Sequence, residues 1–175
     1  GTGISTYFSF DGSNDYVSIP TTLSVNASAF SFEVVFRITT GADGNTLLSL
    51  NYTAPNAGYL VRQTTGNYLI IYSDNGTETS ISSTAALSNN TTYHIVVVQS
   101  SNSCSIYING ILDKTASLSN PVLTITNENF LGRRGAPAYG AQLTGNIYLS
   151  KLYNRVLSAS EVLQNFNSVR SRYNI

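Results

Sequence analysis

Apolar and polar residues alternate with period two along nearly the whole chain, the pattern of strands with one face on a core and the other on water. The clearest run sets Phe30, Phe32, Val34, Phe36 and Ile38 on one face, and Ser31, Glu33, Val35, Arg37 and Thr39 on the other. The same reading predicts strands over Tyr7–Phe10, Tyr16–Ile19, Thr46–Asn51, Tyr59–Gln63, Tyr68–Ser73, Thr79–Ser83 and Tyr93–Gln99. It continues through Cys104–Asn109, Ile111–Thr115, Leu123–Thr126, Asn129–Leu131 and Gly145–Tyr153. Most are short and rich in Val, Ile, Tyr and Thr, residues that fit a pleated, half-buried surface.

Turn residues punctuate these runs. Asn109-Gly110 lies between two alternating segments and tolerates the pair of positive φ angles that a two-residue hairpin demands. Thr64-Thr65-Gly66-Asn67 closes a second hairpin. Near the C-terminus the period changes. Ser158 with Glu161 three residues on forms a capping box, and Val162, Phe166 and Val169 follow at helical spacing with Leu163 beside them. This predicts a short helix over Ala159–Ser168, its stripe laid on the strands or against an end of them. Arg170 and Arg172 suit the negative pole of its dipole. A dozen short strands and one C-terminal helix define an all-β fold, an antiparallel jelly-roll β-sandwich. No repeat, linker or low-complexity tract divides residues 1–175, which read as a single domain.

Composition narrows the functions. Charged residues are 10% of the 175, against about 25% in an ordinary domain. Their place is taken by 19 Asn, 24 Ser and 19 Thr, so the surface is polar without being charged. With 42% hydrophobic residues the chain is not a disordered one. Net charge zero, with Lys114 and Lys151 the only lysines, offers no footprint for nucleic acid. No apolar run approaches the roughly 20 residues of a membrane span. Cys104 is the sole cysteine, which removes internal disulfides and thiolate metal clusters. A chain that starts at Gly1, contains no Met and shows no signal peptide reads as a processed protein or a domain cut from a longer one.

Five segments then carry a resemblance. Phe10-Asp11-Gly12-Ser13-Asn14-Asp15-Tyr16-Val17 resembles the "FDGxxDYV" opening of laminin G-like, concanavalin A-like lectin/glucanase sandwich domains. Phe30 to Phe36 resembles their "SFTVEAWV" strand, with Val35-Phe36 where Ala-Trp is usual. Tyr93 to Val98 resembles "WHHVAVV", with Tyr93 for the Trp, and Ile106 to Leu112 resembles "LYVNGxLV". Gly145-Asn146-Ile147 through Tyr153-Asn154-Arg155-Val156-Leu157-Ser158 resembles "GxIDEVRIYNRALS". The ending, Leu157–Ile175, is similar to the close of such domains in tailed-bacteriophage virion proteins.

That resemblance implies a non-catalytic structural or adhesion module of a phage virion, a capsid decoration or tail-associated protein. Its partners would be other virion proteins or copies of itself as a homo-oligomer, and a host-surface glycan. The alternative is an extracellular carbohydrate-binding module of a secreted or cell-surface protein.

The candidate sites each have a plainer reading beside the functional one. Several relatives bind calcium between loop oxygens, and Asp11, Asn14 and Asp15 supply hard ligands of that kind. Asx residues are equally what a turn demands, and Tyr148 stands where the family often has an Asp after "GxI". No cofactor is expected, calcium being the candidate exception. Arg133-Arg134, in a glycine-rich loop, is the one dense basic spot, suited to a partner subunit, an anionic sugar or loop carbonyls. Tyr52 and Tyr139 join these arginines as candidate ligand-binding residues, two of twelve tyrosines in a chain without Trp. Other strand tyrosines considered as sugar platforms are Tyr59, Tyr68, Tyr72 and Tyr107. For catalysis the pattern is poor. His94 is the sole histidine and reads as structural, and Glu33, Glu78, Glu128 and Glu161 each lack an acidic neighbour for glycosidase chemistry. The chain reads as no enzyme. Sequons at Asn26, Asn51, Asn75, Asn89 and Asn90 follow from the Asn/Ser/Thr richness and matter only in a eukaryotic secretory protein.

Overall fold

A computed structural model of the chain describes residues 6–20, 25–41, 44–53, 57–123, 129–135 and 142–175. Its strands are β1 (Phe8–Asp11), β2 (Val17–Ile19), β3 (Ala29–Ile38), β4 (Asn45–Thr53), β5 (Ala57–Gln63) and β6 (Tyr68–Asp74). They continue as β7 (Glu78–Ala86), β8 (Thr92–Ser100), β9 (Ser103–Ile108), β10 (Ile111–Ser117), β11 (Asn129–Leu131) and β12 (Thr144–Tyr153), before α1 (Ala159–Tyr173). They form two six-stranded sheets, one in the order β1-β12-β3-β8-β9-β10 and the other β2-β11-β4-β5-β6-β7. The fold is the expected all-β, antiparallel jelly-roll sandwich with one C-terminal helix.

Alternation builds the core. Phe30, Phe32, Val34, Phe36 and Ile38 point inward from β3 with Ile95, Val97 and Ile106 of the neighbouring strands. Leu48, Leu50, Tyr59, Val61, Leu69 and Ile71 meet them from the second sheet. One polar island lies within: the Tyr59 hydroxyl sits 3.5 Å from Gln99 Oε1 and 3.6 Å from Cys104 Sγ, and burial pushes the Cys104 thiol up to about 12. Asn109 (φ 50°) and Gly110 (φ 79°) make the expected β9–β10 turn. On that side of the sandwich, Asp113 of β10 accepts the backbone N–H groups of Thr84 (2.6 Å) and Ala85 (3.0 Å) of β7, fastening the two sheets' edges.

Three expectations change. The helix runs past Ser168 to Tyr173, because nothing in 169–173 stops it and Tyr173 continues the Val162–Phe166–Val169 stripe to pack beside Tyr148. It stops at Asn174, which adopts the left-handed conformation and returns its N–H to the Arg170 carbonyl. Leu163, placed beside the buried stripe, is 47% exposed, since its position on the helix turns it away from the sheet. Of the Leu123–Thr126 strand, Leu123 lies outside any strand and 124–126 lie outside the described residues.

The helix lies on the outer face of the first sheet, over Val96 and Val98, with Leu157 and Val162 completing a second apolar cluster. Among the described residues no helix is long and apolar enough to cross a membrane.

Candidate functional site: an arginine–aromatic face

The outer face of the second sheet has a different cover. Strand pairing aligns Ser18, Phe130, Ser49, Leu60, Tyr72 and Ser80 in one row across all six strands. Leu131, Leu48, Val61 and Ile71, the neighbours of four of these residues, face the core, so the row faces outward. Tyr52 joins it through an irregularity. Asn51 takes a left-handed φ of 49° where the β4–β5 register shifts, and the added residue turns Tyr52 to the side opposite Leu50. Its ring comes to lie 6.3 Å from that of Tyr72.

Guanidiniums cap these rings. The Arg133 head sits 3.8 Å from the ring centre of Tyr16 and 4.0 Å from that of Phe130, in the corner made by two rings at 88°. The Arg134 head lies 4.5 Å over Tyr52. Arg62 lies 5.1 Å over Tyr72 and donates to its hydroxyl at 3.1 Å. The Tyr52 hydroxyl donates to Glu78; burial and this carboxylate both hold the phenol well above its usual range. Gly132 sets the loop. It has φ +87°, and a Cβ there would stand 2.3 Å from the Phe10 ring, so glycine alone lets the chain turn from β11 into Arg133-Arg134.

Of the residues singled out from the sequence, Tyr52, Arg133 and Arg134 are brought together here, and Tyr139 lies outside the described residues. Tyr72 also lies on this face, whereas Tyr59 is in the core and Tyr107 packs against the helix-side cluster. Tyr16, Phe130 and Arg62 were missed as site residues. Arg62 was findable, because the Thr64–Asn67 hairpin with Val61 and Gln63 inward forces Leu60 and Arg62 outward.

Asp11, Asn14 and Asp15 form the turn leading to Tyr16. Asp15 Oδ2 accepts the Asp11 N–H at 3.0 Å, Asp11 Oδ1 accepts that of Ser13 at 2.7 Å, and Asn14 is exposed. Both carboxylates thus serve the turn. Among the described residues no three His, Cys, Asp or Glu side chains gather to hold a metal.

The one carboxylate–imidazole pair lies elsewhere. Glu33 Oε1 is 3.3 Å from His94 Nε2, and both side chains are fully buried on the sheet face that α1 covers. The pair is closed to a substrate. Glu161 belongs to the helix cap and Glu78 to Tyr52, while Glu128 lies outside the described residues. A cleft of about 400 Å³ opens at the β1–β2 side of the sandwich, but Phe8, Ile19, Phe32, Leu48 and Leu131 line it. Among the described residues it has no charged lining group to meet a hydroxyl-rich ligand.

The chain belongs to the concanavalin A-like lectin/glucanases superfamily, by a match of its Laminin_G_3 family to residues 11–163. No curated protein matches the sequence. Among solved structures it is similar to domain 4 of AbnA, a GH43 extracellular arabinanase from Geobacillus stearothermophilus, in complex with arabinotriose. The TM-score is 0.74 at 16% identity, over 93% of this chain and 77% of that one. It is also similar to the CBM40 of the Ruminococcus gnavus IT-sialidase bound to α2,3-sialyllactose (TM-score 0.69, 16% identity, 87% of this chain and 97% of that one). A third is a putative carbohydrate-binding protein from Bacteroides ovatus (TM-score 0.74, 17% identity), of which this chain spans 46% while 90% of its own length is covered. At such identities the likeness is one of fold.

Proposed function

We propose that this domain is a non-catalytic glycan-binding adhesion module that reads sugar with the outer face of the second sheet. The observation that carries the reading is the clustering of Arg62, Arg133 and Arg134 over Tyr16, Phe130, Tyr52 and Tyr72. Aromatic rings offer apolar contact to a sugar and guanidiniums offer several N–H donors in a fixed plane. The arabinotriose- and sialyllactose-bound neighbours support it. The module works without a metal. Glycan-array binding of the domain, compared with Tyr16→Ala, tests this: binding lost in the variant is the expected result. Equal binding by both would move the site elsewhere.

We place the module on a bacteriophage virion, as a self-associating capsid decoration or tail-associated subunit, on the strength of the Leu157–Ile175 ending. Immunogold labelling of virions and mass photometry of the domain test this placement. The second reading, a binding module of a secreted protein, is favoured by the extracellular arabinanase among the neighbours. A catalytic domain encoded upstream in the same gene would decide for it.

A further inference from the structure

We infer a second sugar site, independent of the arginine–aromatic face: a hollow at the end of the β1–β12 pair where Tyr7 and Tyr148 take one neutral sugar ring.

The site starts from a bulge. β12 pairs with β3 in step up to Ile147 and again from Leu149, so Tyr148 is the extra residue and leaves the ladder. On its other side β12 pairs with β1 as far as Phe8↔Ile147, which brings Tyr7 beside Tyr148. The two rings meet edge to face, 5.5 Å apart at 62°.

Tyr148 is held in place. The Tyr173 ring of α1 lies 5.7 Å from it, the Tyr173 hydroxyl donates to the Tyr148 carbonyl at 3.4 Å, and Asn146 Nδ2 donates to the Tyr148 hydroxyl at 3.5 Å. The Arg172 head sits 5.3 Å over the Tyr173 ring. The row Arg172–Tyr173–Tyr148–Tyr7 is thus capped at the helix end and open at Tyr7, which is 55% exposed. A platform whose rings are already fixed loses little freedom when a ligand settles on it.

Size and chemistry then select the occupant. The hollow has a volume of about 190 Å³ and is lined by Thr6, Tyr7, Phe8, Ile147 and Tyr148. Sites for larger ligands begin near 300 Å³, so this one suits a single ring. Among the described residues its lining is uncharged, with three hydroxyl-bearing residues beside the apolar surface of Phe8 and Ile147. A pyranose has the matching make-up, C–H faces with a rim of hydroxyls. A carboxylate or ammonium would be desolvated without a counter-charge, and an alkyl chain would leave the hydroxyls unmatched. One ring on an open platform implies about millimolar affinity. Such a site adds avidity toward a repeating glycan and does not set which glycans the other face selects.

The test is an NMR titration of the wild-type and Tyr16→Ala chains with methyl β-glucoside, methyl β-galactoside and methyl α-mannoside. At least one probe is expected to shift the Thr6, Tyr7 and Tyr148 signals saturably, and equally in both chains. Tyr7→Phe keeps the ring and is expected to hold affinity within about twofold, whereas Tyr7→Ala loses about tenfold. Shifts confined to Tyr16 and Phe130, and lost in Tyr16→Ala, overturn this site and leave the arginine–aromatic face standing. Unchanged affinity at Tyr148 in a folded Tyr7→Ala chain also overturns it. Tyr7 and Tyr148 signals that move with protein concentration and not with sugar make the hollow a contact between copies, against the inference. No shift on either face, with no hit on a glycan array, overturns both.

Discussion

Asn165 of α1 donates from Nδ2 to Glu33 Oε2 of β3 at 2.8 Å, a bond that ties the C-terminal helix to the middle of the first sheet across 132 residues of chain. Glu33 has no exposed side-chain surface, and Tyr153 (2.6 Å) and Lys151 (3.1 Å) also donate to it, with His94 at 3.3 Å. A carboxylate has about four lone-pair sites, so this one is saturated. Removing the charge weakens the pairing with the Lys151 ammonium, whose side chain is 39% exposed, and the bonds from Tyr153 and Asn165. Glu33→Gln is expected to destabilise the fold by about 2 kcal/mol, the scale of hydrogen bonds lost to a charged group, and Asn165→Ala by about 1 kcal/mol. Urea unfolding at constant slope measures both. Wild-type stability in Glu33→Gln would show that the network does not hold the helix.

The same carboxylate sets an acid limit. Burial alone would raise its pKa from 4.5, but the bonds from His94 and Tyr153 and the Lys151 charge prevail and hold it at about 2. A folded pKa below the unfolded one means that the stabilisation is complete above about 4.5 and is lost as pH falls toward 2. The groups facing Glu33 are His94, Lys151, Tyr153 and Asn165. About 2–3 kcal/mol should disappear across that window. Glu161, held at about 2 by Arg155 and the Ser158 cap, titrates in the same direction at the surface. Unfolding free energies measured above and below the window should fall less in Glu33→Gln than in wild type; parallel curves would assign the acid limit to other carboxylates.

Calcium enters at the β1–β2 turn only if Asp11 and Asp15 are released from backbone N–H groups they now hold at 2.7 and 3.0 Å. The expected outcome is that EDTA changes neither the thermal midpoint nor glycan binding. Asp15→Ala is expected to cost about 1 kcal/mol through the lost turn bond, with or without the ion. A midpoint that climbs with added calcium and returns with EDTA would make this turn a metal site.

How far the molecule was legible follows from the range of each signal. Alternation and turns are local, so the β3 core face, the Asn109-Gly110 hairpin and the Ser158–Glu161 cap were all readable in order. Sandwich architecture followed, because strands with one apolar face must pair sheets. The site was half legible. Arg133-Arg134 stood out as a basic pair, but its platform is assembled from β2, β4 and β11, and no sequence spacing brings Tyr16 to Phe130. Tyr52 faces this platform only because Asn51 breaks the alternation, and a bulge erases the parity on which the reading depends. Glu33 likewise lacked acidic neighbours along the chain while His94, Lys151 and Asn165 approached from 61, 118 and 132 residues away.

Gly132 joins fold and site, and its replacement separates them. Alanine there meets two penalties: a left-handed φ of +87°, worth about 1–2 kcal/mol, and a Cβ 2.3 Å from the Phe10 ring, worth about 1–3 kcal/mol as overpacking. Gly132→Ala is therefore expected to destabilise by about 2–5 kcal/mol by the sum of these two. Because Phe10 is core and Arg133 is the next residue, relief of the clash moves the Arg133 head off Tyr16 and Phe130, so glycan affinity should fall along with stability. Phe10→Leu in the same chain returns space to the Cβ but not to the backbone angle. The double variant should thus recover part of the stability lost, measured as a coupling energy in a double-mutant cycle. Strict additivity would show that the ring does not set the glycine, and would leave backbone conformation alone as the reason that Gly132 precedes the two arginines.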